Sequence, residues 1–177
     1  MNATMSGLEM HFKTLEFETL GNKATYFNIK DDCTAFLKES GVQNGILIAQ
    51  SPHTTCAVFY EEMVHDIDAL GDEFLQADLN KGLEKIFPKQ LAYDDYYKYP
   101  GPEHRAFSRD NGGGLSKSKA ALLNGDAHLK STLLGASQVI IIKNGELMTG
   151  SYGYLYFVDF DGNRPRKRTC QLCIIGA

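Results

Sequence analysis

The sequence is short of the features that would sort it quickly into a specialised class. No apolar run approaches the length of a membrane span, and the first ten residues have neither a basic stretch nor an apolar one, so no signal peptide is expected. Four cysteines in 177 residues, Cys33, Cys56, Cys170 and Cys173, do not make a disulfide framework, which points to a reducing, cytoplasmic setting. Cys170 and Cys173 have a redox or zinc spacing, but they sit in an apparent strand, where an i, i+3 pair lies on opposite faces. A net charge of −4 gives no general attraction to nucleic acid or to an anionic membrane, and the run Arg164-Pro165-Arg166-Lys167-Arg168 reads as a solvated strand edge. What is present is an ordinary globular composition, 43% apolar, enough for one buried core and one domain over residues 1–177.

Hydrophobic spacing divides the chain into strand-rich ends and a helical middle. Residues 8–19 alternate, with a phase slip near Lys13 that predicts a bulged strand, and the turn at Gly21 predicts a hairpin with a second strand around Phe27. Asp31 or Asp32 reads as the cap of a short helix closed by Gly41. Residues 45–50 and 55–60 read as buried central strands joined by a loop carrying His53. Helical spacing from Asp66 to Phe87, stopped by Pro88, predicts one long helix. The stretch 89–123 has a tyrosine cluster and the glycines 112–114, and it reads as an extended loop, either a lid hinged on those glycines or a disordered surface insertion. Asp126 reads as the N-cap of a helix ending at Gly135, with His128 in its first turn. Strands follow at 139–142, 151–160 and 166–175, the first ended by the turn Asn144-Gly145. The expected class is α+β, two to three helices on a mostly antiparallel β-sandwich.

Three ordered stretches carry a family resemblance: His53-Thr54-Thr55-Cys56-Ala57-Val58 with Glu62 following, Asn124-Gly125-Asp126-Ala127-His128-Leu129-Lys130-Ser131 through Gly135, and Ser137 through Gly145 to Gly150. The chain resembles the YjbQ family, uncharacterised protein family 0047, grouped as secondary thiamine-phosphate synthases. It departs from that pattern at Gly150-Ser151-Tyr152-Gly153, where the family has Gly-Thr-Trp-Gln, and at Glu61-Glu62-Met63, where it has Asn-Glu-Asn. The resemblance implies a homotrimer with sites near subunit contacts. The activity it implies is the joining of a pyrimidine carrying a pyrophosphate leaving group to a thiazole phosphate.

Read as chemistry, His53, His128 and a carboxylate from Asp126 or Glu62 form a sufficient set for a divalent metal held by the two histidines, or for general acid/base work. Nitrogen-rich ligation leans towards zinc, carboxylate with substrate phosphates towards magnesium. Lys130, Ser131 and Arg166 are the expected phosphate contacts. The same residues suit a metal-dependent hydrolase, or a non-catalytic binder of a small ligand.

Overall fold

The computed structural model describes residues 7–111 and 119–177. The element order is β1 (Glu9–Glu18), β2 (Thr25–Asn28), α1 (Lys30–Ser40), β3 (Asn44–Gln50), β4 (Cys56–Glu62), α2 (Phe74–Ile86), α3 (Pro102–Asn111), α4 (Gly125–Leu134), β5 (Ser137–Lys143), β6 (Glu146–Leu147), β7 (Gly153–Asp159) and β8 (Lys167–Gly176). Every strand pairing is antiparallel. Five strands form one sheet in the order β1-β8-β3-β5-β6, and three form another in the order β2-β7-β4. The class is α+β, as the spacing predicts. The arrangement is curled rather than a plain sandwich, with β4 of the small sheet packing beside β5 of the large one.

The main core lies between the two sheets. Leu47, Leu172 and Ile174 from the large sheet meet Val58, Leu155 and Phe157 from the small one, and Cys33, Phe36 and Leu37 of α1 close the open side. A second core lies behind the small sheet, where Ala57, Phe59, Tyr156 and Val158 pack against Leu83 of α2 and Ala127 of α4. β7 is therefore buried on both faces, which explains why its sequence is apolar at nearly every position rather than at alternate ones.

Several expectations are corrected. β1 has no bulge, because its ten residues pair with β8 in unbroken register. The phase slip reflects two apolar faces: Leu15 enters the core, whereas Met10 and Phe12 point out of the large sheet. β1 and β2 do not form a hairpin, since β2 pairs with β7 in the other sheet. β4 is an edge strand of the small sheet, not a central one. The long helix is shorter than its spacing suggests. Asp68 Oδ1 accepts the N–H groups of Leu70 and Asp72, Gly71 takes φ +83°, and the helix begins only after a capping box between Glu73 and Gln76. Asp126 is the second residue of α4 rather than its cap, which falls on Asn124.

The stretch 89–123 is not a plain loop. It contains α3 and a short 3-10 turn over Lys119–Leu122. Gln90 is buried beneath α4, where its Oε1 accepts the Gly125 N–H at 2.8 Å and its amide nitrogen bonds the Tyr99 carbonyl. Tyr97 is buried too, with its hydroxyl on the Pro88 carbonyl. The start of this stretch is thus part of the packed structure; the glycines expected to act as a hinge lie outside the described residues.

Candidate functional site

Two carboxylates behind the end of the small sheet organise the site. Asp159 ends β7 and Asp161 begins the turn to β8, and they are 0% and 2% exposed. Carboxylates this deep require charge partners and hydrogen bonds. Asp159 accepts the Thr55 hydroxyl and Arg168 Nε, both at 2.7 Å, and the Asp161 N–H at 3.0 Å. Asp161 accepts Asn124 Nδ2 at 2.7 Å, the Asn163 N–H at 3.1 Å, and an ion pair from Arg166. The turn at Gly162 brings the two acids and their two arginines together, with the same two-residue step on each side.

A third arginine is left over. Arg164 forms no ion pair with any described residue, and the Nε atoms of Arg164 and Arg166 are buried without a hydrogen-bond partner. Burial, and then the neighbouring positive charge of Arg166, lower the Arg164 pKa from its ordinary value. Arg164, Arg166 and Arg168 line a cavity of about 300 Å3 together with His53, Thr54, Asn124 and His128.

Backbone partners fix the protons on both histidines. The Thr169 N–H donates to His53 Nε2 at 3.0 Å, and an amide can only donate, so the neutral ring carries its proton on Nδ1. The Thr54 carbonyl lies 3.2 Å from His128 Nδ1, and a carbonyl can only accept, so Nδ1 is protonated and Nε2 keeps its lone pair. Desolvation is the first cause lowering both pKa values. Arg168 is the next influence on His53, acting in the same direction, whereas the Thr54 hydrogen bond acts against the shift at His128. Tyr99 packs edge-on against His128 with ring centroids 5.4 Å apart, and it also contacts His104.

The structure thus brings together His53, His128 and Arg166 of the expected residues. It does not bring the others to this cavity. Asp126 and Lys130 form a buried ion pair at 3.0 Å, and Asp126 also accepts the Gln90 N–H. Both line a separate cavity of about 290 Å3 near Lys23, Asp72 and Lys89, not the one that His128 lines. Asn124 lines both cavities. Ser131 donates to the Thr54 carbonyl at 2.6 Å and positions the loop that holds His128. Glu62 is exposed at the far end of β4, six residues from Cys56 and so roughly 20 Å away along the strand. The departures at Glu61 to Met63 and Gly150 to Gly153 lie at that same far end, since Glu62 pairs with Gly153. They do not line the arginine cavity. A side chain at position 153 is excluded by packing, because a Cβ would fall 2.3 Å from the Thr149 carbonyl oxygen.

A metal held by His53 and His128 does not fit this arrangement. His53 Nε2 is already occupied by an amide proton, and ligation through Nδ1 would displace the proton that keeps the ring neutral. Among the described residues no group of three or more His, Cys, Asp or Glu side chains could hold a metal ion. All four thiols are unpaired, and burial pushes Cys33, Cys56 and Cys170 up to about 12. The residues that sequence reasoning missed are Asp159, Asp161, Arg164 and Arg168. The signal was an Asp-x-Asp step facing an Arg-x-Arg-x-Arg step across a short turn.

Relatives with the same description recur in all comparisons. The chain is 29% identical over 164 residues to the UPF0047 protein YugU of Bacillus subtilis, covering 93% of this chain and 98% of that protein. It is 27% identical over 169 residues to a UPF0047 protein of Methanothermobacter thermautotrophicus, covering 96% and 94%. Among solved structures, a YjbQ/UPF0047 protein of Clostridium acetobutylicum superposes with a TM-score of 0.66 at 28% identity, covering 92% of this chain and 98% of that one. A YjbQ-like protein of unknown function from Sulfolobus solfataricus gives 0.70 at 22% identity, covering 96% and 99%. The family model described as UPF0047 protein YjbQ-like matches residues 13–177, and the chain belongs to that family.

Proposed function

We propose that this protein is an enzyme acting on a small phosphorylated substrate, of the thiamine-phosphate synthase kind. The observation that carries the reading is the charge imbalance in the arginine cavity: three guanidinium groups against two buried carboxylates, with two Nε donors unpartnered. Buried donors without partners are costly, and a phosphate or pyrophosphate supplies the acceptors they lack.

In the proposed reaction the carbon–oxygen bond between the pyrimidine's methylene and pyrophosphate breaks, and the pyrophosphate leaves with the electron pair. The thiazole nitrogen supplies the pair for the new carbon–nitrogen bond. Such a reaction asks the protein chiefly to neutralise the departing charge and to exclude water. Arg164 and Arg166 answer the first demand. His53 and His128 both line the cavity, the first with a ring N–H and the second with a ring lone pair not taken by the backbone, so the two neutral rings offer a donor and an acceptor to the bound ligand.

A homotrimer is part of the proposal, with the outer face of the large sheet as the contact. There Met10, Ile175, Ile46 and Ile141 form one cross-strand row, and Phe12, Cys173, Ile48 and Val139 form the next. Phe12 is 71% exposed in the single chain, a degree of apolar exposure that marks an interaction surface. The unpaired thiols agree with a reducing, cytoplasmic compartment. No helix among the described residues is long and apolar enough to cross a membrane.

The test is product formation from a pyrimidine pyrophosphate and a thiazole phosphate, with and without magnesium, by wild type and by Arg164→Ala, His53→Ala and His128→Ala. Turnover that disappears in Arg164→Ala supports the reading. Pyrophosphate binding without turnover would make the protein a ligand binder instead, and no binding at all would overturn the proposal.

A further inference from the structure

Asn124 breaks a local rule. It stands at the N-cap of α4, where an asparagine side chain ordinarily accepts a hydrogen bond from one of the helix's free amides, yet it forms no such bond. Gln90 serves the first amide, that of Gly125, at 2.8 Å. Asn124 instead turns its Nδ2 to Asp161 Oδ2 at 2.7 Å. That contact fixes the amide's orientation, because the flipped form would set one oxygen against another. Oδ1 is then left buried with no partner, on a residue only 6% exposed that lines the arginine cavity. A strong acceptor withdrawn from its usual task and left unused in a cavity wall is a ligand contact awaiting its donor.

We propose that Asn124 is a specificity-determining residue of this cavity, its Oδ1 accepting a hydrogen bond from an amino or hydroxyl group that the substrate carries close to its phosphate. This rests on the phosphate-binding reading above. The arginines recognise any phosphate. Asn124 adds a demand for a donor beside it. An analogue without the donor leaves the buried oxygen unpaired and is rejected.

Isothermal titration of the full chain with inorganic pyrophosphate, hydroxyethyl phosphate and ethyl phosphate tests this. The two esters differ only in a hydroxyl donor. Wild type should bind all three and prefer hydroxyethyl phosphate to ethyl phosphate by about tenfold, the value of one buried hydrogen bond. Asn124→Ala should lose the preference between the esters, whatever its affinity for pyrophosphate. Equal affinity of wild type for the two esters, alongside pyrophosphate binding, overturns this inference and leaves the phosphate reading standing. So does a preference that persists in Asn124→Ala. Failure of pyrophosphate to bind wild type overturns both. If Asn124→Ala does not fold, the wild-type comparison of the two esters decides.

Discussion

Two cavities of nearly equal size lie on either side of Asn124, about 300 Å3 and about 290 Å3, and both are lined by charged side chains. They differ in how the charges are used. In the cavity of α2 and α4, Lys130 meets Asp126 at 3.0 Å and Lys23 meets Asp72 at 2.7 Å, so the lysines withdrawn from solvent are each matched by a carboxylate, and Lys81 and Lys89 stay exposed. In the arginine cavity the carboxylates run out first, and Arg164 is left over. The presence of lysine or arginine in a pocket therefore says little about ligands. What distinguishes a site prepared for an anion is a donor that has been desolvated and not paired.

The difference can be tested most severely at the paired side. Lys130→Met should destabilise the protein by about 3–5 kcal/mol, because it strands the Asp126 carboxylate in the interior, and urea denaturation will measure it. The refolded variant should still bind pyrophosphate; if its affinity fell as much as its stability, the two cavities would not be functionally separate. Arg164→Ala should do the reverse. Affinity for pyrophosphate falls by roughly tenfold to a hundredfold, about 1.5–3 kcal/mol for a charge-assisted contact, while the melting temperature stays nearly constant. A large loss of stability in Arg164→Ala would mean that its guanidinium is structural.

A smaller effect is expected at Ser131. Ser131→Ala removes its bond to the Thr54 carbonyl at a cost of about 1 kcal/mol, with the Thr54 carbonyl still held by His128. Smallest is the pH effect. Both site histidines have pKa values below the ordinary 6.5, so the unfolded chain takes up protons first as pH falls. Stability should be flat in this respect above pH 6.5 and decline below it, towards the lowered folded-state values. The decline should be shallower in His128→Gln, measured by thermal unfolding across pH 5 to 8. An equal slope in that variant would show that other groups govern it.

Much of the fold is legible along the chain because local spacing reports it. β5 with its Asn144-Gly145 turn, β8, and α1 closed by Gly41 at φ +74° all follow from residues within a few positions of one another. Pairings between distant strands do not, and β1 is the example: it neighbours β2 in sequence but joins β8 in space. The site divides in the same way. His53 and His128 stand out by residue type. The arginine run looks like a solvated edge because nothing local announces that Asp159 and Asp161, buried by the double-sided packing of β7, draw Arg166 and Arg168 inward. Helical spacing at residues 66–73 misleads because the Asp68 and Gly71 turn competes with helix there.

The order of strands in the large sheet has a consequence for how the molecule is made. β8, the last strand in sequence, is not at the margin but lies between β1 and β3, bonded to both. A chain emerging from the ribosome in sequence order holds β1 and β3 apart, each with an open edge, until β8 arrives to join them. The five-stranded sheet cannot be completed by growth from one side, and its closure depends on contacts across almost the whole sequence. Folding should therefore be slow, with the exposed edges and the apolar rows of the outer face vulnerable to aggregation until β8 joins them.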